Sequence, residues 1–214
     1  MPINGVRITL ASSLFGAAVL SLGLLLAAPA FALDEKPTEE QDLKACEQDL
    51  CAMILSKEAT GDDLKCAISK TWAKDKIEKG ASTKSGLSWG FGDARCTLDL
   101  VATRDSIVSS VAKPDNKLEM NSHTVKCEIE TGEKREVTTI NVTLAPKVAF
   151  KDGKATKAEL NITKIEAPAV IKAVITGADW IEKNVGLFHG EMIEEINEFV
   201  AKKCAKRYPQ LVKN

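Results

Sequence analysis

Between Val137 and Ile165 apolar and polar residues alternate through two runs that meet at Asp152-Gly153. Ile140, Val142, Leu144, Val148 and Phe150 take even positions in the first run, and Ala158, Leu160 and Ile162 take even positions in the second. Successive strand side chains point to opposite faces, so a hairpin that buries one side must set even opposite even. A two-residue Asp-Gly loop would pair Lys151 with Lys154 and even with odd. A three-residue loop, Lys151-Asp152-Gly153 with a left-handed glycine, pairs Phe150 with Lys154, Leu144 with Leu160 and Val142 with Ile162. That register is the expectation. It leaves one aliphatic side that something else must cover, and a polar side bearing Asn141, Thr143, Glu159, Asn161 and Thr163.

Upstream, Thr38 and Gln41 form a capping-box pattern, and Leu43, Cys46, Leu50, Met53 and Ile54 recur at helical spacing to about Lys57. Leu64, Cys66 and Ile68 alternate as in a half-buried strand, and Trp72 to Lys79 reads equally as its continuation or as a short helix. Leu87, Trp89 and Phe91 alternate with polar or glycine positions. The phase then flips at Gly92-Asp93 to Cys96, Leu98, Leu100 and Ala102, which predicts a strand bent or bulged at the glycine. Asp105 is placed to cap a helix that stops before Pro114, and His123, Val125, Cys127 and Ile129 form the next strand. After Glu166 the period turns helical. Short helices are expected after Pro168 and Asp179, and a strong one from Glu191 to about Arg207 has the stripe Ile193, Ile196, Val200 and Cys204. Helix, strands, helices is the order of an α+β fold: an antiparallel sheet of about five or six strands covered by an N-terminal helix and a C-terminal amphipathic helix.

The N-terminus changes this picture by subtraction. Arg7, an apolar run from Leu14 to Ala28 and the small-x-small pattern Ala30-Phe31-Ala32 read as a cleaved signal peptide, residues 1–32. The run is shorter than the roughly 20 residues that span a bilayer, so no stable membrane anchor is expected after cleavage. Residues 33–37 are then a polar leader, 38–208 a single domain and 209–214 a tail. All six cysteines fall after the leader, and an even number in an exported chain reads as three disulfides. Parity and topology suggest Cys96 with Cys127, Cys51 with Cys66 and Cys46 with Cys204. The expected address is periplasmic or secreted.

Charge and motifs mainly exclude. The formal net charge is −1 with both signs interspersed, so there is no electrostatic footprint for nucleic acid. The one basic cluster, Lys202, Lys203, Lys206 and Arg207, suits the negative end of the last helix. Gly86-Leu87-Ser88-Trp89-Gly90 matches the nucleophile-elbow pattern of serine hydrolases, with Asp93 and His123 or His189 following in order. The elbow requires a strand, a sharp turn and a helix, whereas here the alternation runs through Ser88, so a glycine-bearing strand is the favoured reading. His123 and Cys127, four strand residues apart, lie about 13 Å from each other and share no metal. His123 is read as a core residue with a backbone partner. No metal and no cofactor is expected. Asn141-Val142-Thr143 and Asn161-Ile162-Thr163 would be glycosylation acceptors only in a eukaryotic secretory pathway.

At Gly61-Asp62-Asp63-Leu64-Lys65-Cys66, Lys70-Thr71-Trp72, Gly92-Asp93-Ala94-Arg95-Cys96 and Gly186-Leu187-Phe188-His189 the chain resembles a family of exported proteins from Gram-negative, rhizobium-like bacteria. The resemblance implies periplasmic residence and carries no catalytic residues. An aliphatic-faced antiparallel sheet against a terminal helix is also similar, at the level of fold alone, to tubular lipid-binding proteins. The function expected is therefore non-enzymatic. It is the binding of a lipid or other hydrophobic small molecule between sheet and helices, with Trp89, Val142, Leu144, Phe150, Leu160 and Ile162 as lining. The alternatives are a protein–protein interaction or inhibitor module acting on an envelope protein, and a hydrolase using Ser88.

Overall fold

The computed structural model describes residues 33–84, 89–169, 171–172 and 190–212. The expected signal peptide, Ser88, His189 and the short helix after Asp179 lie outside the described residues. Helix α1 (Glu39–Ser56) leads into β1 (Leu64–Trp72), α2 (Lys74–Lys84), β2 (Ala94–Ala102), α3 (Arg104–Ala112) and β3 (Asp115–Glu119). Five more strands follow: β4 (His123–Thr131), β5 (Glu136–Leu144), β6 (Lys147–Lys151), β7 (Lys154–Glu159) and β8 (Ile162–Glu166). The C-terminal helix, α4, spans residues 190–207 and contains a π turn at Phe199–Lys203. The fold is α+β. A five-stranded antiparallel sheet, sheet A, has the order β1-β2-β4-β5-β8, and a three-stranded antiparallel sheet, sheet B, has the order β3-β6-β7.

The long hairpin exists but is divided between the two sheets. Val142 pairs with Ile165 rather than Ile162, and β5 and β8 stay in sheet A. Pro146, which has no N–H to give a ladder, ends β5, and Asn161 is left-handed (φ 46°). The two are bridged where the chain leaves the sheet, Ala145 N–H donating to Asn161 O at 3.1 Å and Asn161 Nδ2 to Ala145 O at 3.1 Å. The tip becomes β6–β7. Its loop has two residues and not the expected three, because Asp152 (φ 50°) and Gly153 (φ 74°) are both left-handed, as a type I′ turn requires. Lys151 thus pairs with Lys154, and an irregularity beside Phe150 restores parity so that Val148 faces Ala158. Even does meet even, by a bulge inside the strand instead of at the loop. Gly153 is also needed for space, since a Cβ there would lie 3.0 Å from Val111 O at the end of α3.

Other local expectations shift for identifiable reasons. Thr38 is the N-cap of α1 without a side-chain cap bond, and α3 is capped by Thr103 rather than Asp105. The stretch from Trp89 to Asp93 is not strand. Gly92 is required there by close approach, because a Cβ would sit 2.7 Å from the Cβ of Glu130. Trp89 Nε1 donates to Gly92 O at 2.8 Å, and the indole packs beside Phe91 on the cluster of Ala94, Cys127, Ile129 and Ile140.

All six cysteines are paired, with two partners exchanged relative to the expectation. Cys96–Cys127 joins directly opposed residues of β2 and β4, as anticipated. The others are Cys46–Cys66 and Cys51–Cys204. Five residues along a helix turn the side chain by about 140°, so Cys46 and Cys51 leave α1 in different directions, one to β1 and one to α4. Three disulfides with no free cysteine are the chemistry of an oxidising, extracytoplasmic compartment. Among the described residues no helix is long and apolar enough to cross a membrane.

Candidate functional site

Helix α1 is fastened at its start to the outer edge of sheet A. The Glu39 side chain is fully buried, and its carboxylate accepts from Thr71 N–H at 2.7 Å, Thr71 Oγ1 at 2.6 Å and Ser69 Oγ at 3.2 Å. Burial alone would push this carboxyl up. The bonds from Thr71, from the Lys36 backbone and from Ser69 together outweigh it and hold the group below the ordinary carboxylate value. An outward N–H of an edge strand is satisfied in the process.

Helix α4 is seated on sheet B. Asn197 Nδ2 donates to Ala155 O at 3.0 Å while its Oδ1 accepts from Ala155 N–H at 2.7 Å, so one amide closes both backbone groups of a residue on edge strand β7. About two turns of α4 further, Cys204 is buried and bonded to Cys51 of α1. The π turn lies between these two attachments, and its Phe199, Val200 and Lys203 all face the same space.

That space is a groove of about 420 Å³ bounded by α1, α3, sheet B and α4. Leu50 and Ile54 come from α1, Ile107 and Val111 from α3, and Leu118, Val148 and Phe150 from β3 and β6. Helix α4 adds Ile196, Phe199 and Val200. Ser110, the hydroxyl among the lining residues, is spent on Ile107 O at 2.6 Å. The charged lining residues belong to the two helices alone: Glu47 from α1, and Glu195, Lys203 and Arg207 from α4. Arg207 Nη1 donates to both oxygens of Glu47 at 2.6 and 2.7 Å, and Lys203 Nζ lies 2.8 Å from Glu195 and 3.2 Å from Glu198. Hydrogen bonds donated to Glu47, and its charge, push the Arg207 guanidinium up, and those donated to Glu195 and Glu198 do the same for the Lys203 ammonium. The arrangement offers apolar surface on one side and a row of ion pairs on the other.

The six residues anticipated as lining are distributed over three places. Phe150, buried, lines the groove. Val142, Leu144 and Ile162 stay on sheet A, where Val142 is opposite Val125 and Leu144 is opposite His123 and Ile162. Leu160 is half-buried just past β7, and Trp89 packs at the Ala94 end of sheet A. The groove residues of α1 and α4 were visible only as apolar stripes, with nothing in either stripe to say that they face each other.

The remaining candidates that are described are engaged with backbone groups and neighbouring charges. His123 is buried, its Nδ1 donating to Asn121 O at 2.6 Å and its Nε2 accepting from Val101 N–H at 3.0 Å, which spans a gap where β2 and β4 are no longer paired. Asp93 accepts from Lys74 N–H at 2.9 Å and from Arg135 at 3.3 Å. No cluster of three metal-ligating side chains occurs among the described residues. The chain matches no family model, no curated protein and no solved structure.

Proposed function

We propose that this is a non-enzymatic binding protein of the periplasm or extracellular space that holds a small hydrophobic molecule in the groove between α1, α3, sheet B and α4. The observation that carries this reading is the groove itself: about 420 Å³, with ten apolar side chains from five separate elements. Ligand sites typically fall at roughly 300–1,000 Å³ and combine an apolar lining with a few placed polar groups. What sets this groove apart from the other concavities of the surface is its lining, apolar at ten of fifteen residues. Val142, Leu144 and Ile162 belong to sheet A and Leu160 lies just past β7, so of the anticipated lining only Phe150 enters this site.

Native mass spectrometry of the purified protein tests the reading. A bound small-molecule mass is expected on the wild type, and its loss is expected on Val200→Trp, which fills the groove from α4. A bare polypeptide mass, together with no uptake of an apolar fluorescent probe, would overturn it.

A further inference from the structure

The charges at the groove are unevenly spent, and the imbalance says what kind of molecule fits. Both oxygens of Glu47 accept from Arg207, and Glu195 accepts from Lys203. Lys203 in turn is shared between Glu195 and Glu198. Arg207 differs: only its Nη1 is bonded, so among the described residues the N–H groups on Nε and Nη2 have no partner. A guanidinium presents its donors as a planar fork that matches a carboxylate or phosphate edge. The acids of the groove are therefore paired, while Arg207, whose side chain is about half exposed, keeps two donor groups that an anionic guest can take from water.

The fork is also held in position. Arg207 lies one helical turn beyond Cys204, whose disulfide to Cys51 ties α4 to α1, and Glu47 on α1 fixes the guanidinium from the opposite wall. Opposite the charged helices, α3 and sheet B contribute Ile107, Val111, Leu118, Val148 and Phe150. A guest with one charged pole and one hydrocarbon pole matches both sides at once.

We infer that the groove takes a single-chain amphiphile whose anionic head, a carboxylate or a phosphate, is held by the Nε–H and Nη2–H groups of Arg207. This rests on the reading of the groove as a ligand site. Dodecanoate, dodecyl phosphate, dodecanol and dodecyltrimethylammonium share one chain length and differ in the head. Titrating each into the full disulfide-bonded protein, below its micelle concentration, separates the two ideas. At least one of the two anions is expected to bind about ten- to a hundredfold more tightly than dodecanol, the range for a hydrogen bond to a charged group. The stronger of the two identifies the head. Arg207→Gln is expected to weaken binding of the preferred anion at least tenfold more than binding of dodecanol, whereas a merely structural role for Arg207 would weaken the anions and dodecanol alike. Equal binding of dodecanol and both anions to the wild type, or preference for the ammonium, overturns the anionic head while leaving the groove. No binding of any of the four overturns both.

Discussion

Sheet A and the groove bury the same kinds of aliphatic side chain but are held together by bonds of very different range. In sheet A neighbouring strands carry most of the load. Its internal disulfide, Cys96–Cys127, joins opposed residues 31 apart in sequence, and its polar ties, such as Glu39 with Thr71, act where a helix meets the adjoining strand. In the groove, α1 and α4 are brought together from opposite ends of the sequence by a disulfide spanning 153 residues and by Arg207 with Glu47, while Asn197 seats α4 on β7. Sheet A is therefore expected to persist without α4, whereas the groove would lose the wall that carries Ile196, Phe199 and Val200.

The largest expected effect comes from breaking the long-range bond. Replacing Cys51 and Cys204 together by Ala is expected to cost about 3–5 kcal/mol, since long loops gain most from closure. Ligand uptake should vanish while amide hydrogen exchange stays slow in β2, β4 and β5. Equal loss of protection in sheet A would break the contrast. Asn197→Ala leaves the N–H and C=O of Ala155 without their partner, at a cost of about 2–3 kcal/mol in urea unfolding. Its exchange should speed up first in β7 and α4. Glu39→Gln acts on the other region and is expected to cost about 1–3 kcal/mol at neutral pH through loss of a charged acceptor. Because the folded carboxyl lies below its unfolded value, its contribution is present above that unfolded value and is lost as pH falls through the folded one. The gap between variant and wild type should thus close in urea titrations taken from about pH 7 to about pH 3, with ligand uptake unaffected.

Much of the fold could be read from periodicity, because helix stripes and strand alternation are local. The α+β order, the C-terminal helix, β4 and the parity of β6 with β7 all follow from spacing within a dozen residues. What failed was long-range. The exchanged cysteine partners depend on the direction in which Cys46 and Cys51 leave α1, which nearness to the turn at Gly61 does not reveal. Strand β3 has a single apolar side chain, Leu118, and so gives no alternation to detect. Pro146 marks the break in the hairpin, but the uniform even-position pattern on both sides of it hides that the two halves serve different sheets. The groove was illegible for the same reason. Its walls come from residues 47 to 207, and no short window contains two of its opposing sides.

The divided hairpin makes the two sheets a linked pair. β5 runs into β6 and β7 into β8 across the paired Ala145 and Asn161, so sheet B, which walls the groove, is tied twice at one point to β5 and β8 of sheet A.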